Sequence, residues 1–171
     1  MENAERSRTG VDTVLSRKQF EVITEHLSAL AEKLRITTVL LVGSSGERVA
    51  EKASSRSRID STILSALTAS SYMASKEMAR ILGEENHFSM VLHEGKHHHI
   101  FTCSVTKDFF LIVVFESGVA LGMVRLFTKK TVVQLRSVLS AQKEGGTDPV
   151  FDRRFQTLLG EELDRSLKSF S

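Results

Sequence analysis

Four groups of residues could in principle do chemistry. Gly43-Ser-Ser-Gly46 has the look of a phosphate cradle. A phosphate-binding loop of the Walker type ends in Gly-Lys-Ser/Thr and feeds a helix. Here the turn feeds a polar stretch, Glu47–Lys52, that reads as a strand, so a tight hairpin is expected instead. His93, His97, His98 and His99 are spaced for metal ligation, since imidazole is a common ligand. On a strand, however, His98 points away from its neighbours. No companion cysteine or carboxylate pattern accompanies the histidines beyond His87 and Glu94, and a solvated hairpin end is the expectation. Cys103 sits between Phe101 and Val105. A reactive thiol needs an electropositive, partly open setting, whereas a free cysteine in an apolar strand behaves as a small hydrophobe. No Gly-x-Ser-x-Gly elbow and no spaced acid–base pair is present. The expectation is a chain with no catalytic residue, no metal and no cofactor.

Composition narrows the partners. The chain has 171 residues, 41% hydrophobic and 26% charged, with a net charge of +2. A domain of this size buries enough surface to fold without metal or disulfide. The charge excess is small and scattered, tryptophan is absent and Tyr72 is the only tyrosine, so nucleic acid is not an expected partner. One cysteine permits no internal disulfide and favours a cytoplasmic setting. The charged start, Met1-Glu-Asn-Ala-Glu-Arg, lacks the apolar stretch of a signal peptide. The longest apolar run, Phe109–Phe115, is strand length, so membrane insertion is not expected.

The elements that position these groups follow from periodicity. Met1–Ser16 is polar and expected to be flexible. Phe20, Ile23, Leu27, Leu30 and Leu34 align on one face of a first helix, Arg17–Leu34, with Ser16 as its N-cap. Thr37–Val42 is a strand, and Glu47–Lys52 returns beside it after the Gly43–Gly46 turn. Asp60 caps a second helix, Ile59 and Leu64 make a hydrophobic staple, and Gly83 closes the helix. Its more apolar arc, Ile63, Leu64, Leu67, Ala74, Met78, Ile81 and Leu82, is expected to face the core. A flatter shoulder holds Ala66, Ala69, Met73, Glu77 and Arg80, and the remaining face holds Ser65, Thr68, Tyr72, Ser75 and Lys76. Good helix propensity explains the alanines of the shoulder, and a docking face for another backbone explains them equally.

Three strands follow, at His87–Glu94, His98–Val105 and Phe109–Phe115. The first two alternate, as half-exposed strands do. The third is apolar throughout, like Val39–Val42, and both are expected to be central and covered on two faces. A helix over Val119–Gln142 buries Leu121, Val124, Thr128, Val132, Leu135 and Leu139. Residues 143–149, with Gly145, Gly146 and Pro149, read as a linker, and 150–171 as an amphipathic helix with Phe155, Leu159, Leu163 and Leu167 as its stripe.

This order of elements over Arg17–Gln142 resembles the roadblock (dynein light-chain) family, and within it the bacterial MglB group. The phrases that carry the likeness are Ile81-Leu-Gly-Glu84, Leu92-His-Glu-Gly95 and Leu121-Gly-Met-Val-Arg-Leu126. Two departures are visible. The family often has an acidic residue where Gly43 stands, and Ser70, Ser71 and Tyr72 interrupt an otherwise alanine-rich helix. The resemblance implies an α/β layered fold: a five-stranded antiparallel sheet, order 2-1-5-4-3, with helices on both faces. It implies a homodimer; the third strand, His87–Glu94, is an edge in this order and carries Phe88, Met90 and Leu92 with few charges, so it and the second helix are the expected interface. It also implies a small Ras-like GTPase (MglA-like) as partner, bound in its GTP form by Ala66, Ala69, Ser70, Met73 and Glu77. Such proteins stimulate GTP hydrolysis by reshaping the GTPase rather than by supplying an arginine finger, which can be worth about 10³–10⁵ in turnover. Two other classes compete with this reading. One is a non-activating scaffold subunit of a signalling or motor complex. The other is a small-molecule sensor, which needs a lined cavity inside the sheet.

Overall fold

A computed structural model describes residues 15–84 and 88–141. The expected linker and final helix, and most of the expected flexible N-terminus, lie outside them. The elements are α1 (Arg17–Leu34), β1 (Thr38–Gly43), β2 (Arg48–Ala53), α2 (Ser61–Ile81), β3 (Met90–Glu94), β4 (His98–Ser104), β5 (Phe109–Glu116) and α3 (Leu121–Ser140). The five strands form one antiparallel sheet, β2-β1-β5-β4-β3, as the sequence led us to expect. Strand β3 starts at Met90 rather than His87, so Phe88 precedes the strand.

β1 and β5 run side by side, from Thr38 opposite Val114 to Gly43 opposite Phe109. Every residue of β1 and all of Phe109–Phe115 are buried, because layers cover both faces of this pair. On one face Val39, Leu41, Leu111, Val113 and Phe115 meet Ile23, Leu27 and Leu30 of α1 and Val124, Val132, Leu135 and Leu139 of α3. Cys103 is buried in that layer beside Phe101 and Val105, as a small hydrophobe. On the other face Leu40, Val42, Phe110, Ile112 and Val114 meet Ala69 and Tyr72 of α2.

Local chemistry sets the helix ends. Ser16 and Gln19 form a reciprocal capping box at the start of α1. The Asp60 carboxylate accepts from the amides of Thr62 and Ile63, and Ile59 and Leu64 pack on the same cluster. Gly83 takes φ +78 after α2, and the Glu84 amide donates to the Ala79 carbonyl at 3.0 Å.

The seating of α2 reverses the expectation. Its buried residues are Ser61, Ser65, Thr68, Ala69, Tyr72, Ser75 and Ala79; of the more apolar arc Leu64 packs half-buried on the sheet, and Ile63, Leu67, Ala74, Met78, Ile81 and Leu82 point outward. Two physical facts account for this. The sheet face beneath α2 is bulky, so small residues let the helix approach it, and Tyr72 stacks on Phe110 with ring centroids 4.9 Å apart. Buried hydroxyls are also cheap when they find an internal acceptor: Ser65 donates to the Ser61 carbonyl at 2.7 Å, and Ser61 donates to the Glu51 carboxylate.

The β1–β2 turn shows the same demand for closeness. Gly46 has φ +90, and a Cβ there would lie 3.2 Å from Cα of Ala66 and 3.4 Å from Cβ of Ala69. Gly46→Ala therefore adds both left-handed strain and a tight contact. It should lower unfolding stability by about 1–3 kcal/mol, read as an earlier denaturant midpoint with an unchanged m-value.

Candidate partner-binding surface

Eight large hydrophobic side chains are exposed among the described residues, and six of them cluster on α2 and its C-cap: Ile63, Leu67, Met73, Met78, Ile81 and Leu82. Leu67 is 64% and Ile81 76% exposed. At about 100° per residue, Ile63, Leu67, Ala74 and Ile81 form one stripe down the helix, opposite the seat on the sheet. A contiguous apolar patch on a helix marks an interaction site more often than scattered exposure does. An ion pair, Arg80 to Glu77 at 2.9 Å, rims it.

The five residues expected to bind a partner are not all presented. Ala66, Ser70, Met73 and Glu77 are exposed. Ala69 is not: it is 4% exposed and packs on the sheet in the Leu40–Phe110 cluster. Its small size serves the approach of Gly46, and a substitution there would disturb the fold before any docking contact. Sequence reasoning missed the stripe of Ile63, Leu67, Met78 and Ile81 as surface because it assigned the most apolar arc to the chain's own core.

The two flanks of the patch look in different directions. Ala66 lies against the β1–β2 turn at Gly46. On the opposite flank the Ser71 hydroxyl lies 3.4 Å from Nε2 of His93 on β3. Among the described residues β3 bonds to β4 alone, so it is an edge of the described sheet. Of the expected interface residues, Met90 and Leu92 are half-buried and already packed against the α1/α3 core, and Phe88 is half-buried just before the strand. The hairpin end carries exposed His93, His97 and His98, while His99 turns in against the Phe115 ring at 5.3 Å. Among the described residues no three metal-binding side chains are grouped to hold an ion.

One more carboxylate went unnoticed in the sequence. Glu47 folds back so that its carboxyl group occupies the space that a side chain on Gly43 would fill. Both of its oxygens are buried with no hydrogen-bond partner among the described residues. The turn that lacks an acidic residue at position 43 thus receives one from position 47.

A five-stranded antiparallel sheet with two helices on one face and one on the other, and an edge strand beside an exposed apolar helix, defines the roadblock fold class. The Roadblock/LC7 domain model matches residues 22–115, more than half of the chain. The chain belongs to the Roadblock/LC7 family. Among solved structures it is similar to MglB of Myxococcus xanthus, 28% identical with a TM-score of 0.71, over 79% of this chain and 99% of that one. It is also similar in fold to the gliding protein MglB of Thermus thermophilus, 23% identical with a TM-score of 0.71, over 76% and 97% of the two chains. An uncharacterized protein of Aquifex aeolicus is 27% identical over 130 residues, 76% of this chain and 80% of the relative. No helix among the described residues is long and apolar enough to cross a membrane.

Two side chains under the surface should titrate abnormally. Burial pushes the Cys103 thiol up to about 12, against an opposing pull from Arg136. Burial also raises the Tyr72 phenol above its usual value near 10, with a bond to Ser104 acting the other way. The unfolded chain then gives up the Tyr72 proton before the folded one does. The contribution of Tyr72 to stability is full below pH 10 and is lost as pH rises through its folded value. Tyrosinate absorbance in the native protein should rise only above the pH at which it rises in denaturant, and Cys103 should resist thiol reagents until the chain unfolds.

Proposed function

We propose that this protein is a non-catalytic regulator of a small Ras-like GTPase, acting in the cytoplasm as a homodimer. The carrying observation is the apolar patch on α2 beside the β3 edge. A lone domain gains nothing by leaving Ile63, Leu67, Met78 and Ile81 in water. Pairing of β3 with β3 of a second copy, antiparallel, closes the edge with two-fold symmetry and yields a ten-stranded sheet. It brings the Ser71 flanks of two α2 helices toward each other and leaves Ala66, Ser70, Met73 and Glu77 on the outer flanks. The stripe packs against the partner copy, and the outer flanks form a platform for the GTPase. Likeness to Myxococcus MglB at 28% identity supports the choice of partner.

The platform prefers the GTP form because its contacts fall on the switch loops, and a partner shifts an equilibrium only by its differential affinity for the two states. Hydrolysis is stimulated by holding those loops in the competent arrangement. No arginine of this chain is assigned to the transition state.

Two variants separate the assembly from the docking. Leu67→Asp puts a charge in the stripe without touching the sheet, since Leu67 is exposed. Sedimentation should show a monomer with native far-UV dichroism; a normal dimer would place the interface elsewhere. Ser70→Arg should leave the dimer intact. It should cut single-turnover GTP hydrolysis by a cognate GTPase to the unstimulated rate. Stimulation equal to the parent's would move the GTPase site off α2, and binding without stimulation by the unaltered dimer would make the protein a scaffold.

A further inference from the structure

A second site lies at the end of the sheet, away from the apolar stripe. A cavity of about 290 Å³ opens there, lined by Tyr72 and Lys76 of α2, Ser104, Thr106 and Lys107 at the β4–β5 turn, and Arg136 of α3. Three separate elements each bring one cation to it, and no carboxylate lines it among the described residues. The ion pairs Arg17 to Glu21, Arg48 to Glu51 and Arg80 to Glu77 lie elsewhere and involve none of these cations. Like charges converging without a counter-ion repel one another and favour any anion that enters.

The donors are set before a ligand arrives. Nε of Arg136 donates to the Val105 carbonyl at 2.8 Å, which fixes the plane of the guanidinium and leaves its terminal nitrogens unengaged by the described residues. The Thr106 hydroxyl oxygen accepts from the Asp108 amide at 3.2 Å, so its proton is available to donate. Ser104 donates to the Thr106 carbonyl at 3.1 Å and bonds the Tyr72 phenol, which holds the turn against α2. A fixed guanidinium fork, the Lys76 and Lys107 ammonium groups and a hydroxyl donor suit a tetrahedral oxyanion with several acceptor oxygens. The volume, about 290 Å³, falls just below the roughly 300–1,000 Å³ usual for drug-sized ligands, which suits a group as small as a diphosphate.

We propose that this cavity binds the phosphate or diphosphate group of a small soluble compound, through Arg136, Lys76, Lys107 and the Thr106 hydroxyl. The site is separate from the α2 stripe, so a phosphorylated ligand would be a second input to the protein.

The chain carries its own reporter. Tyr72 is the only tyrosine and there is no tryptophan, so intrinsic emission comes from the wall of the cavity. The full-length protein is titrated with inorganic pyrophosphate at constant ionic strength. A saturable change in Tyr72 emission is expected. Lys76→Gln and Lys107→Gln should each weaken binding roughly tenfold, as the loss of one charge-assisted contact does. Arg136→Gln should weaken it further, and Lys52→Gln on β2 should leave it unchanged. The two lysine variants hold the test open should Arg136→Gln fail to fold. Three outcomes overturn the site: no saturation, equal affinity in all variants, or complete displacement by chloride at matched ionic strength.

Discussion

The structure depends on one constraint: the β1–β5 pair is apolar on both faces. Leu40 and Val42 point one way, and Val39 and Leu41 the other. A strand pair of that kind cannot lie at a surface, so the sheet must be the middle layer of three. α1 and α3 supply one cover with long side chains, Leu27, Leu30, Leu135 and Leu139 among them. The other cover has to come from α2, because no other described helix is left. The more polar strands then lie outside the central pair, β2 on one side and β4 and β3 on the other.

How α2 meets that demand decides what the surface looks like. The sheet already supplies the bulk in Phe110, Ile112, Leu40 and Val42, so the helix supplies closeness: Ser65, Thr68, Ala69, Ser75 and Ala79 at the contact. Only Tyr72 reaches in with a ring, and it lies nearly parallel to Phe110, at 18°. Of the buried hydroxyls that make this possible, Ser65 is satisfied by the helix's own backbone and Ser61 by the Glu51 carboxylate. With its small face turned inward, the helix carries its large apolar residues outward. The exposed stripe and the polar seat are thus one arrangement seen from two sides.

Much of this was legible in the sequence. Uniform apolarity identified β1 and β5, alternation identified β4, the Ser16 and Asp60 caps fixed two helix starts, and Gly83 fixed one end. The family likeness led to the strand order. The seat of α2 was not legible. Amphipathicity reports which face of a helix leaves water, and it cannot tell whether the face that leaves water does so within one chain or between two. For α1 and α3 the two answers coincide. For α2 the face that seats on the sheet is the small one, and the assignment of Ile63, Leu67, Met78 and Ile81 to the core fails there. Ala69 fails for the same reason in the opposite sense, because a small residue beside a docking face and a small residue under a helix have one sequence signature. The return of Glu47 onto Gly43 depends on a side-chain rotamer in a four-residue turn, which spacing does not encode.

The same logic bears on how the surface and the fold are coupled energetically. Residues of the stripe contribute little to the stability of the single domain, because they are in water before and after it folds. In the proposed dimer their burial by a second copy adds stability only through mass action. The residues beneath, Ser65, Thr68 and Ala69, contribute to the domain at any concentration. Tyr72 belongs to both the sheet contact and the wall of the basic cavity. With Lys76 of the same helix, it links an anion at the sheet's end to the seating of α2. A ligand that tightens the Tyr72–Phe110 stack would fix the height of the helix on the sheet, and with it the level at which the outward stripe is offered to a partner.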